Sequence, residues 1–211
     1  MLSGIFEKLG FGRREKAFEH LSKQLLEFSA AFSTITDVTQ LVPTTIGKIR
    51  DIMGVNEAAL FLRDGTGERF DLAYNRNIDL NPKLRLRGSY HFRAEDKFIR
   101  WLLTNRNAFI MSTMTDVFGY LPEEERDILR FINTELCIGL EAHNRFIGLL
   151  SLGRRIDGRD FRETDIQLLT TIVAQAALAI ENSRLHMEAI AQVRAKRELE
   201  IAGELQRRLL P

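Results

Sequence analysis

FIGLLSLGRRIDGRDFRETDIQLLTTIVAQAALAIENSRL, residues 146–185, decides the fold. Its opening, Phe146–Leu152, is a short apolar run set off by the turn residues His143-Asn144-Arg145, and it reads as a buried strand. A polar stretch with two glycines leads to a helix that starts near Phe161–Asp165. No breaker follows until Pro211, and Gly203 is the one weak point. At 1.5 Å per residue, a helix of about 45 residues reaches roughly 70 Å, whereas a domain of this size is only some 30 Å across. The second half of the helix therefore runs beyond its own domain. There its apolar positions thin to Ile190, Val193, Leu199, Ile201, Leu205, Leu209 and Leu210, with charges of both signs between them. A lone helix of that make-up is marginal in water and needs a partner.

Working outward from this stretch, Leu136–Ala142 supplies the strand that makes a hairpin with Phe146–Leu152. Glu57–Arg63 and Phe70–Tyr74 form a second pair of strands around Asp64-Gly65-Thr66-Gly67, and a helix ending at Met53, stopped by Gly54, precedes them. Pro43 fits that helix in its first turn or at a kink. Residues 75–88 read as a loop, Tyr90–Phe92 and Ala108–Met111 as short strands, and residues 96–106 as a helix. Thr113–Leu121 reads as another loop. Pro122 opens a further helix to about Asn133, with Glu123, Glu124 and Glu125 favoured by its dipole. The expected fold class is α+β: a central antiparallel sheet of five or six strands, long N- and C-terminal helices on one face, and short helices on the other.

The N-terminal part has two components. Residues 1–13 read as a flexible leader; Leu2, Ile5, Phe6 and Leu9 could also make a small membrane-surface foot. From residue 14 a helix begins, and Phe18, Leu21, Leu25, Phe28, Phe32 and Ile35 step by 3, 4, 3, 4, 3. That heptad seam suits one face of a core helix or a helix shared across a dimer.

Composition narrows the function classes. The chain has 211 residues, 45% hydrophobic and 28% charged, with a formal net charge of +1. That is an ordinary globular composition without a global field to attract nucleic acid. No apolar run approaches the ~18 residues of a membrane span, and a secretory apolar segment is missing from the N-terminus. One cysteine fits a reducing, cytoplasmic setting. The histidines His20, His91, His143 and His186 are scattered, without metal-ligand spacing. Neither a phosphate loop nor a Gly-x-Ser-x-Gly elbow is present. The residues thus point away from an enzyme and give no metal or cofactor set.

Residues 20–185 resemble the GAF domain family. The resemblance rests on Ile147-Gly148-Leu149, on Phe161 with Asp165, and on Ala174-Gln175-Ala176-Ala177-Leu178-Ala179-Ile180-Glu181-Asn182. It implies a sensor domain over residues 14–185, including the N-terminal helix, with a small-molecule pocket between the sheet and the short helices. Candidates to line that pocket are Tyr90, Phe92, Arg93, Trp101, Ile110, Phe118, Phe131 and Cys137, with Arg93 and Arg100 placed for an anionic ligand. The cyclic-nucleotide members carry Asn-Lys, then Phe-x-x-x-Asp-Glu. Here Gly153-Arg154, Phe161, Asp165 and Ile166 match only in part, which argues against that ligand. Cys137 lies in a strand rather than in the loop where a bilin attaches, and His91 is the only candidate axial ligand for haem.

Residues 198–211, ELEIAGELQRRLLP, resemble the linker ahead of the catalytic domain in sporulation-stage-II-E-type, partner-switching bacterial serine phosphatases, regulators of anti-sigma-factor antagonists. The implied organisation is a coiled-coil linker over residues 186–211 leading to an output domain absent from this chain. The transmission and dimer positions are then Phe18, Leu21, Leu25, Phe28, Phe32 and Ile35 together with Met187, Ile190, Leu199, Ala202, Leu205, Gln206 and Leu209. Two functions compete. One is a parallel homodimeric sensor signalling to a metal-dependent serine/threonine phosphatase. The other is a ligand-free scaffold regulated by a protein partner at the linker helix.

Overall fold

The computed structural model describes residues 38–75, 90–106 and 108–209. The Phe18–Ile35 seam and most of the 75–88 loop lie outside these. Eleven elements follow in order: α1 (Val38–Met53), β1 (Ala58–Arg63), β2 (Arg69–Asn75), β3 (His91–Arg93), α2 (Lys97–Asn105), β4 (Phe109–Ile110), α3 (Thr115–Tyr120), α4 (Glu123–Phe131), β5 (Leu136–Ala142), β6 (Arg145–Leu152) and α5 (Glu163–Leu209). The strands form one six-stranded sheet in the order β3-β2-β1-β6-β5-β4, each pair antiparallel.

Two apolar layers sandwich the sheet because its strands alternate. Ala58 and Leu60 of β1 face α1 and α5, whereas Ala59 and Phe61 face the short helices. Helix α1 contributes Leu41, Val42, Ile46, Ile49 and Met53, all at most 5% exposed, and ends at Gly54 with φ 65°. Pro43 sits within the helix, past its first turn and on the exposed side. Helix α5 contributes Leu169, Ile172, Val173, Ala176, Ala177 and Ile180 to the same layer. Two register shifts break the alternation. Leu140 pairs with Gly148 and Glu141 with Phe146, leaving Ile147 as an extra residue. Phe146 and Leu149 consequently share one face, and Ile147 and Leu150 the other.

The segment expected to be a loop, Thr113–Leu121, contains the helix α3. It spans six residues and buries none of them, so it leaves no helical period to detect. The β1–β2 turn is organised by Asp64. Its Oδ1 accepts from the backbone N–H groups of Gly67, Glu68 and Arg69, and Thr66 Oγ1 donates to Oδ2 at 2.7 Å. The Thr66 hydroxyl, then these amides, hold the Asp64 carboxyl below its usual range.

Candidate functional site

The space between sheet and short helices is filled largely by aromatic side chains. Phe61 meets Phe92 edge-on at 5.2 Å, Phe92 lies 5.6 Å from Phe98, Phe98 meets Phe109 at 5.2 Å, and Trp101 meets Phe109 at 5.6 Å. Of the expected pocket residues, Phe92 and Cys137 are wholly buried in this layer. Burial pushes the Cys137 thiol well up, which keeps it neutral and weakly nucleophilic. Ile110 takes the opposite face and packs with the long helices. In a two-residue strand whose Phe109 points to the short helices, alternation sends the next residue the other way. Arg100 lies exposed on α2.

Of the remaining candidates, Tyr90, Arg93 and Phe118 border two clefts. Tyr90 stacks on Phe131 at 3.9 Å and, with Arg93, edges a cavity of about 380 Å³ walled by Asp96, Pro122, Glu125 and Ile128. Glu125 is 5% exposed. It accepts the backbone N–H groups of Lys97 at 3.1 Å and Phe98 at 2.8 Å, so a residue of α4 caps the N-terminus of α2. Asp96, beside that terminus, instead accepts from the Arg93 N–H at 2.7 Å. Desolvation outweighs the two amides and raises the Glu125 pKa.

Phe118 borders the second cleft, of about 620 Å³, at the end of the sheet where β6 gives way to α5. Its floor is Leu129 and Met111; its rim carries Arg130, Arg154, Glu57 and Glu135. Buried Glu135 accepts from Arg154 Nε at 3.2 Å and from the Ser112 N–H at 3.2 Å, and Asn133 Nδ2 donates to Glu57 at 2.9 Å. A cleft of this volume suits a small organic molecule with both apolar and polar parts. Sequence reasoning found only Phe118 of this set. Asn133, at φ 51° just past the C-cap of α4, ends that helix in the left-handed conformation that Asn tolerates, and spacing alone does not reveal its bond to Glu57. At the same end, Arg155 is the residue paired with Asp165, at 3.4 Å, and with Asp157, at 3.1 Å. Arg154, which the sequence pattern places at the cation position ahead of Phe161 and Asp165, pairs with Glu135 instead.

Helix α5 is 47 residues, about 70 Å long. Its body-facing stripe is buried as far as Ser183 and continues in sequence through Met187, Ile190 and Ile201. A second stripe lies on the opposite side. Leu178, Leu185 and Leu199, spaced by multiples of seven, are 42%, 46% and 75% exposed. Ala202 is exposed as well. Leu205, Gln206 and Leu209 fall in the backbone span of α5, and their side chains lie outside the described residues. Among the described residues, no group of three or more His, Cys, Asp and Glu is placed to hold a metal ion, and no helix is long and apolar enough to cross a membrane.

A family model described as GAF domain matches residues 37–182. Three solved structures share the fold. The GAF domain/HD domain protein from Geobacter sulfurreducens aligns at TM-score 0.56 and 18% identity, over 73% of this chain and 98% of that one. The GAF domain of a two-component sensor histidine kinase from Bacillus halodurans aligns at TM-score 0.53 and 18% identity, over 72% and 99%. The GAF domain of a phosphoenolpyruvate-protein phosphotransferase from Coxiella burnetii aligns at TM-score 0.58 and 13% identity, over 80% and 96%. None of the curated proteins compared with the chain matches it.

Proposed function

The chain belongs to the GAF domain family, and from that premise we propose that it is the sensor part of a cytoplasmic signalling protein, a parallel homodimer that passes a ligand or partner state along α5 to a serine/threonine phosphatase domain. GAF domains are regulatory sensor modules in signalling proteins. The observation that carries the reading is the outer stripe of α5. Leu178, Leu185 and Leu199 recur at heptad intervals on the side turned away from the body. A second copy covers such a stripe most simply, because two identical helices side by side present matching registers. The Phe18–Ile35 heptads supply a further seam. The phosphatase output rests on the linker-like run Glu198–Pro211, and the division into a 14–185 sensor and a 186–211 linker follows from it. Two arginines, Arg194 and Arg197, keep the coil weak enough to hold two packings a few kcal/mol apart.

Sedimentation equilibrium at tens of micromolar tests the dimer. The chain is expected to sediment as a dimer, and the double variant Leu185→Asp, Leu199→Asp as a monomer of unchanged helicity. A monomeric parent chain overturns the reading.

A second reading is favoured by the aromatic filling of the short-helix layer. In that reading the fold is a scaffold without a small-molecule ligand, regulated by a protein partner at the linker helix.

A further inference from the structure

A third cavity, of about 230 Å³, lies at the other end of the sheet from the Phe118 cleft, between the β1–β2 turn, the start of β6 and the middle of α5. Its charged lining is Arg63, Arg145 and Arg184 against Asp64 and Glu181, and Ile180 and Phe146 form its apolar wall. Both acids are already committed. Asp64 accepts three turn amides and the Thr66 hydroxyl. Glu181, 5% exposed, takes both its oxygens to Arg184, at 2.9 and 3.0 Å. The arginines are not used up. Arg63 spends Nε and Nη2 on the Gly67 carbonyl, at 3.0 and 2.8 Å, and Arg184 spends Nε and Nη2 on Glu181. Each keeps the donors of Nη1, and Arg145, an exposed residue, has no side-chain ion pair or hydrogen bond among the described residues. Three fixed-charge forks face two spent carboxylates, with Glu188 a further 3.9 Å from Arg184, and several of their donors are open to solvent, in a volume below that of a drug-sized site.

We infer that this cavity is a binding site for a small oxyanion, a phosphate or a compact carboxylate, held by Arg145 with the spare Nη1 groups of Arg63 and Arg184. The anion touches both a strand turn and α5 at the point where the helix leaves the body. An effect of occupancy on the rod rests on the transmission reading above, whereas the site itself does not.

Isothermal titration calorimetry on the full chain tests the site, with inorganic phosphate and succinate titrated separately at constant ionic strength. Saturable one-site binding of at least one of them is expected, and the arm that saturates names the anion class. Arg145→Gln is expected to weaken binding by about tenfold or more, the worth of a charge-assisted hydrogen bond. Arg145→Lys, which keeps the charge and loses the fork, is expected to fall between. Arg159→Gln, an exposed arginine that lines none of the three cavities described, serves as the control and is expected to change nothing. Absence of saturable binding in both arms, or equal behaviour of the Arg145 and Arg159 variants, overturns the site. Either result leaves the dimer test untouched.

Discussion

Gly148 shows how little room the sheet leaves. It sits opposite Leu140 on β5 and Leu62 on β1, and a Cβ there would run into the carbonyl oxygen of Phe61. Backbone cannot swing aside as a side-chain tip can. Gly148→Ala is therefore expected to lower stability by about 1–3 kcal/mol in urea unfolding. Gly119→Ala, in α3 with nothing within 4 Å of its Cβ, is expected to leave it unchanged or slightly raised. The family pattern marked Gly148 in the sequence, but the physical demand on it comes from β1, more than eighty residues earlier. Glu125 tells the same story from the other side. Its place in Pro122-Glu123-Glu124-Glu125 reads as a solvated first-turn acid, whereas its carboxylate turns inward onto another helix. Local rules see the helix a residue belongs to and miss the one it caps.

At the scale of elements, α2 depends on that borrowed cap. Glu125→Gln replaces two acceptor oxygens by one, which sets an amide N–H group against a backbone N–H, so it is expected to destabilise the fold by about 1–3 kcal/mol. The pH dependence has a definite sign. Burial raises the native pKa of Glu125 above its ordinary 4.5, so the native state holds this proton to higher pH than the unfolded chain. Its contribution is complete below 4.5 and is lost as pH rises through the raised native value. The stability gap between the parent and Glu125→Gln, measured by urea titration from pH 4 to pH 7, is expected to narrow upward. A gap that widens would mean that the two amides outweigh desolvation. The long elements were legible because α1, α5 and the two hairpins repeat their pattern over many residues. Helix α3 was not, since its six residues bury nothing. The extra residue at Ile147 was also hidden, because a bulge is defined by its partner strand. For the same reason the candidate site was legible only in fragments. Aromatic spacing does not separate rings that fill a core, such as Phe92, from rings at the edge of a cleft, such as Phe118.

The whole molecule divides near Glu188. Up to Ser183 α5 is tied to the body by buried residues, with Asn182 Oδ1 3.4 Å from His143 Nε2, whereas the pairs that Arg184 makes with Glu181 at 2.9 Å and Glu188 at 3.9 Å stay within the helix. A chain ending after Glu188 is expected to melt within a few degrees of the full chain and to dissociate more readily on dilution, as read by calorimetry and sedimentation. A large loss of melting temperature would place the stability of the body in the tail and contradict the division. The geometry of that exit has a mechanical side. From Arg184 to Leu209 the helix measures about 38 Å, so it works as a lever with its fulcrum against the strand turns. Tilting it there by about ten degrees sweeps the far tip sideways by roughly 7 Å. Small changes of packing beside the fulcrum are thus geared up into displacements of several ångströms at the far tip.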